Sequence, residues 1–246
     1  HARAAAIPPP AASAAITGYT DKWSYLPGEV QTVYASAARP VEGDRLVLED
    51  ILGRTVAEAT ADVRPQRATG GAPWADGFGY APTLRFVVPD LKSGLYRWQG
   101  TIPFVVKSRD PEMRIVVVYP SNTQSAYNKA GGRSLYTTPR AFAVSFHRPA
   151  EPAVLDLARP MLEWLARSDL PVRYVADTDL DDPGALDGAT VVAIIGHSEY
   201  WTRAARRAFD RFVDGGGDAV ILSGNTMWWQ VRYDRERDRM ICYKSD

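Results

Sequence analysis

The hydrophobic pattern of the chain changes period once, near residue 108, and that change limits what each part can fold into. Before it, short β-rich runs alternate with turn residues. Val30-Gln31-Thr32-Val33-Tyr34, Arg45-Leu46-Val47-Leu48, Leu84-Arg85-Phe86-Val87-Val88 and Leu95-Tyr96-Arg97-Trp98 are punctuated by Pro27-Gly28, Glu42-Gly43-Asp44 and Lys92-Ser93-Gly94. Runs of this length with almost no helical spacing predict an N-terminal β-sandwich over residues 16–108. The Gly- and Pro-rich stretch 68–82 is expected as a long loop within it. After residue 108, apolar strands alternate with amphipathic segments, the pattern of helices layered on a mostly parallel sheet. Residues 113–119, 172–175, 191–195 and 219–222 read as strands, and 151–168 and 202–213 as helices. Glu151 suits the positive end of a helix dipole, Thr202 is a natural N-cap, and Gly215-Gly216-Gly217 stops the second helix.

Composition narrows the function classes. Lys plus Arg and Asp plus Glu both number 29, so the formal net charge is zero and no general attraction to nucleic acid or to an anionic membrane is expected. No apolar stretch approaches the roughly 20 residues of a membrane helix, and the chain is read as a soluble protein. Cys242 is the single cysteine, which excludes an intrachain disulfide and a Cys-rich zinc site. The Ala- and Pro-rich residues 1–15 are expected to be a linker or disordered. They lack the long apolar core of an intact signal peptide, and read as a trimmed export remnant or as a linker from a longer polypeptide. The aromatic and charged text after Asn225 closes no obvious sheet, so the α/β unit, residues 109–246, is expected to be incomplete at its C-terminal end.

Three segments carry chemistry. The strand 191–195 runs into Gly196-His197-Ser198-Glu199-Tyr200-Trp201, delivering His197 and Glu199 to the C-terminal edge of the sheet, where open α/β sheets keep their sites. Two residues apart, these side chains share a face on an extended strand and diverge in a turn. The plainer alternative is a Glu that caps the next helix and a His that bonds a loop carbonyl. The strand 219–222 similarly leads into Ser223-Gly224-Asn225, where Asn225 is either a turn former or a donor to an oxyanion. Between Tyr119 and Tyr136, the polar and Gly-rich text containing Tyr127 looks too hydrophilic for core and is expected as a loop across the same edge. The ordinary fate of such tyrosines is packing with a satisfied hydroxyl.

Several mechanisms lack support. Ser198 has no nucleophile-elbow context and Cys242 follows no strand-to-helix turn, so an amidotransferase triad is not expected although the three-layer α/β order is glutamine-amidotransferase-like. Zincin, P-loop and dinucleotide fingerprints are absent.

Taken in order, Gly18-Tyr19-Thr20-Asp21, Tyr25-Leu26-Pro27-Gly28-Glu29, Ile102-Pro103-Phe104-Val105-Val106, Ala126-Tyr127-Asn128, Gly131-Gly132, Ser134-Leu135-Tyr136, Gly196-His197-Ser198-Glu199-Tyr200-Trp201, Ser223-Gly224-Asn225 and Trp229-Gln230-Val231-Arg232 resemble the N,N-dimethylformamidase large-subunit family over most of the chain. The resemblance implies an amidohydrolase with one iron ion held by two tyrosines and a glutamate. It carries the glutamate onto Glu199, the active-site histidine and asparagine onto His197 and Asn225, and one tyrosine onto Tyr127. The second tyrosine falls on Tyr136, with Tyr200 and Tyr119 as alternatives, because the family separates its tyrosines by a longer stretch. The donor set suits ferric iron, since phenolate and carboxylate are hard anionic oxygens. Such a centre acts as a Lewis acid on a small or N-substituted amide and activates water, with His197 moving protons and Asn225 holding the oxyanion. The resemblance further implies an acidic group beyond Asp246, and a small partner subunit or a homo-oligomer. The rival reading is a non-catalytic module that binds carbohydrate or protein through exposed Trp201, Trp228, Trp229 and tyrosines.

Overall fold

The computed structural model describes residues 15–151 and 153–244, so nearly all of the expected N-terminal linker lies outside the described residues. In chain order the first part forms β1 (Ile16–Thr20), β2 (Ser24–Tyr25), β3 (Val30–Ala37), β4 (Val41–Asp50), β5 (Thr55–Val63), the short helix α1 (Pro73–Asp76), β6 (Leu84–Val87), β7 (Gly94–Trp98) and β8 (Ile102–Val106). The second part forms β9 (Ile115–Tyr119), α2 (Ser121–Tyr127), β10 (Ala143–Ser145), α3 (Ala153–Arg167), β11 (Val172–Ala176), β12 (Val191–His197), β13 (Tyr200–Thr202), α4 (Arg203–Asp214), β14 (Asp218–Gly224), β15 (Trp229–Asp234) and β16 (Arg239–Ile241). The result is a mixed α/β fold whose described strands lie in four sheets, some parallel and some antiparallel, with no closed barrel.

Two sheets, ordered β1-β3-β6 and β2-β8-β7-β4-β5, share one apolar core in which Val33, Leu48, Trp98 and Phe104 are fully buried. The period-two text explains it, because alternate residues of each strand point inward. The third sheet is parallel, ordered β11-β9-β12-β14. One face packs Val117, Tyr119 and Ile195 against Leu155, Ala158 and Leu162 of α3. The other packs Val116, Val118 and Ile194 against Ala205, Ala208 and Phe209 of α4, whose N-cap Thr202 accepts the Ala205 amide as expected.

The described residues after Asn225 form β15 and β16, which join β10 and β13 in a sheet of order β10-β16-β15-β13, a pairing their sequence did not show. Residues 121–127 are not the expected surface loop but the helix α2, in which Ser121, Asn122, Thr123, Gln124, Ser125 and Ala126 are all buried. Polar side chains bury when each finds a partner. Here Ser121 accepts the Asp177 amide at 3.1 Å, Asn122 bonds the Tyr233 hydroxyl at 2.8 Å, Gln124 takes the Tyr119 hydroxyl, and Ser125 donates to the Ser121 carbonyl at 3.0 Å.

Both ends of α2 are clamped. The Asp177 carboxyl accepts the Asn122 amide at 2.8 Å, satisfying a free N-terminal donor. At the other end the buried Arg148 guanidinium donates to the carbonyls of Ser125 at 2.5 Å, Asn128 at 2.8 Å and Ser145 at 2.9 Å, a cation at the negative end of the helix. Burial pushes the Asp177 carboxyl up to about 8, and its other oxygen has no partner among the described residues. Because the folded-state value lies above the unfolded one, the proton that Asp177 keeps in the native state stabilises the fold at low pH. That contribution, on the order of a few kcal/mol, is lost as pH rises from about 4 to about 8. Asp177→Asn keeps the acceptor and removes the titration, so its melting temperature should vary less than wild type across that window in a calorimetric pH series.

Close approach of α3 to β12 requires Gly196. Its φ is +70°, and a Cβ there would sit 2.9 Å from the Ala158 Cβ and 3.1 Å from the Ala158 Cα. Gly196→Ala should therefore cost about 1–3 kcal/mol in denaturant unfolding, from overpacking and backbone strain together.

Candidate functional site

The site forms where β12 ends. After His197 the chain steps inward, and the step is held from several sides: the Ser198 amide donates to Ser223 Oγ at 2.9 Å, the Glu199 amide to Thr123 Oγ1 at 2.9 Å, and the Trp229 amide to the Glu199 carbonyl at 2.9 Å. Glu199 is only 2% exposed. Its carboxyl faces the C-terminal residue of α2 and the loop beyond it. Tyr127 Oη donates to Glu199 Oε2 at 2.7 Å and Tyr136 Oη to Glu199 Oε1 at 2.5 Å. The two hydroxyls are 3.1 Å apart, and His197 Nε2 lies 2.8 Å from Tyr127 Oη and 3.2 Å from Glu199 Oε2. The tyrosine rings meet edge to face, with centroids 4.2 Å apart.

Four of the five expected site residues, Tyr127, Tyr136, His197 and Glu199, thus converge on one point. The fifth, Asn225, lies one residue past Gly224, the register partner of His197, so the two strand ends are adjacent. Asn225 itself is exposed at φ 47°, and the cluster's hydrogen bonds do not include its side chain. Of the alternative tyrosines, Tyr119 is sealed beneath α2 on Gln124, and the Tyr200 hydroxyl takes the Lys244 ammonium at 2.5 Å.

Electrostatically the cluster holds protons tightly. Burial, then the hydrogen bonds with Tyr136 and Glu199, push the Tyr127 phenol far up, and burial with the Glu199 bond raises Tyr136. Lys244 Nζ lies 3.8 Å from the Tyr136 ring centroid, 4.9 Å from that of Tyr200 and 5.0 Å from that of Trp229, adding a positive charge beside the phenols. Burial lowers the pKa of this ammonium.

Among the described residues no group of three or more His, Cys, Asp or Glu side chains is placed to hold a metal ion. Tyr127, Tyr136 and Glu199 are the oxygen-bearing side chains that could hold one. Their phenol oxygens lie 3.1 Å apart, and each bonds a different oxygen of the Glu199 carboxyl, Tyr127 to Oε2 at 2.7 Å and Tyr136 to Oε1 at 2.5 Å. Tyr136 is 43% exposed, whereas Glu199 is sealed.

Reading the sequence missed Thr123, Asn122, Arg148 and Lys244. A hydrophilic run directly after a buried strand was the only local signal for the first two, and nothing adjacent to Arg148 or Lys244 marks them. The binding-module reading loses one of its platforms, because Trp201 is buried against Phe209, although Trp228 is 69% exposed. A separate cavity of about 280 Å³ lined by Tyr19, Asp21, Trp23, His147, Asp179 and Tyr233 shares no residue with the tyrosine cluster.

Comparison with curated proteins finds no match. Residues 32–246 match the family model described as N,N-dimethylformamidase beta subunit-like, C-terminal, a span that takes in α2, the Glu199 step and the Asn225 turn. The chain therefore belongs to the N,N-dimethylformamidase beta subunit-like family.

Proposed function

We propose that the chain is an amide hydrolase acting on a small or N-substituted amide, with Tyr127, Tyr136 and Glu199 as ligands to a single ferric ion. The convergence of two phenols and a carboxyl on one point, from α2, the loop after it and the end of β12, carries this reading. Membership of a dimethylformamidase-like family supports the hydrolase class. The two facing sheets are read as a β-sandwich and the parallel sheet as the middle of a three-layer α/β unit of the glutamine-amidotransferase type. The family description also supports a partner subunit, with a homo-oligomer as the alternative. No described helix is long and apolar enough to cross a membrane, and the balanced charge gives no reason to expect nucleic acid.

Iron bound by these oxygens would supply a Lewis acid for the amide carbonyl and lower the pKa of water at the site. The remaining roles fall to side chains. His197, in contact with both Tyr127 and Glu199, takes a proton from the attacking water and returns it to the departing amine. Asn225, at the exposed strand end beside His197, presents its amide to the oxyanion. The positive charge of Lys244 beside the Tyr136 ring favours the ionised phenol.

Iron content measured by elemental analysis tests the ligand set: Tyr127→Phe and Glu199→Ala should lose the metal and the visible phenolate-to-iron absorption, and retention of iron by both overturns the assignment. His197→Ala should keep the metal while kcat drops by roughly 10²–10⁴. The raised phenol pKa values set the sign of the pH dependence. Binding must displace phenol protons that the cluster holds firmly, so ferric affinity should rise with pH and binding should release protons into a weakly buffered solution.

A further inference from the structure

The residues on either side of the 199–200 peptide are held by adjacent side chains of one helix. Thr123 Oγ1 accepts the Glu199 amide at 2.9 Å, and the Asn122 side-chain amide donates to the Tyr200 carbonyl at 2.9 Å. One turn later the same helix presents Tyr127, whose hydroxyl meets the Glu199 carboxyl at 2.7 Å. A helix rises about 1.5 Å per residue, so Thr123 and Tyr127 stand about 6 Å apart along a rigid axis. The main chain of Glu199 is pinned at one end of that interval, and its carboxyl reaches the phenol at the other.

Thr123 is 0% exposed and Asn122 1% exposed, so bulk water does not reach either contact. We infer that Thr123, backed by Asn122, is a positioning residue that sets the separation between the Glu199 carboxyl and the Tyr127 phenol. This rests on the proposed ligand set for its consequence, though not for its geometry. Thr123 touches neither substrate nor metal in this scheme. Its hydroxyl matters and its bulk does not, which distinguishes positioning from packing: serine keeps the acceptor, whereas valine keeps the volume and leaves the Glu199 amide without one.

The test compares wild type, Thr123→Val and Thr123→Ser by hydrogen exchange of the Glu199 amide in metal-free protein and by ferric titration followed through phenolate absorption. Thr123→Val should speed exchange of that amide by about tenfold, the effect of one lost hydrogen bond. Its ferric affinity should fall by roughly 10- to 100-fold, the usual cost of removing a support behind a ligand. Thr123→Ser should restore both. A folded Thr123→Val protein with wild-type exchange and affinity overturns the inference, as does a Ser variant no better than the Val one. Should the Val variant fail to fold, Thr123→Ala is judged by the same criteria. Should wild type bind no ferric ion, the ligand reading falls separately, and the exchange comparison decides with the Tyr127 to Glu199 distance in crystals of the variant. An unchanged distance then overturns the positioning role.

Discussion

The arrangement depends on a buried polar helix. Six consecutive residues of α2 lie out of solvent and five of them are hydrophilic, a placement that costs several kcal/mol unless every group is partnered. The partners come from distant stretches: Asp177 from the end of β11, Tyr233 from β15, Glu199 from the step after β12, and Arg148 from the loop before α3. Each contact is long in sequence, so the helix joins the parallel sheet to the small mixed sheet. Arg148 extends the reach further, because the guanidinium that holds the Ser125 carbonyl also holds that of Asn128, where the loop toward Tyr136 begins.

This construction explains the shape of the site. Tyr127 inherits its position from the helix, Tyr136 from a loop fastened to the helix end, and Glu199 from a main chain fastened to the helix side. Three side chains from separate elements meet because one element positions all three. The cluster is a hydrogen-bonded knot in which the Glu199 carboxyl accepts from both phenols. The same buried surroundings that keep the phenols protonated would strengthen their attraction to a highly charged ion, since both effects come from a low local dielectric.

Much of this was legible in the residues. The period change near residue 108 marked the passage from mostly antiparallel strands to the parallel sheet, and each expected strand of that sheet formed. The strand ends carrying His197 and Asn225 were readable because a buried parallel strand is a short apolar run, and the residues just after such a run emerge at the sheet edge. Features requiring long-range pairing escaped. Ser121 to Ser125 looked like a surface loop because hydrophilicity reports the cost of burial without reporting partners such as Asp177 and Tyr233. The sheet of β10, β13, β15 and β16 escaped for a related reason: its strands are 3 to 6 residues long, too few for a period to show, and β10 pairs with β16 across nearly a hundred residues.

Rigidity grades across the site in a way that suits the proposed chemistry, in which an iron ligand set and a carbonyl-binding amide act together. Glu199 is sealed and held through its own amide and carbonyl, whereas Asn225 is exposed on a left-handed turn beyond the end of β14. A ligand set gains from immobility, because each oxygen must stay within a few tenths of an ångström of a common centre. A group that tracks the carbonyl oxygen of a substrate gains from some freedom, since that oxygen moves as the carbon becomes tetrahedral. The fold supplies both conditions within one register pair, His197 opposite Gly224: one strand turns inward to its carboxylate and the other turns outward to its amide.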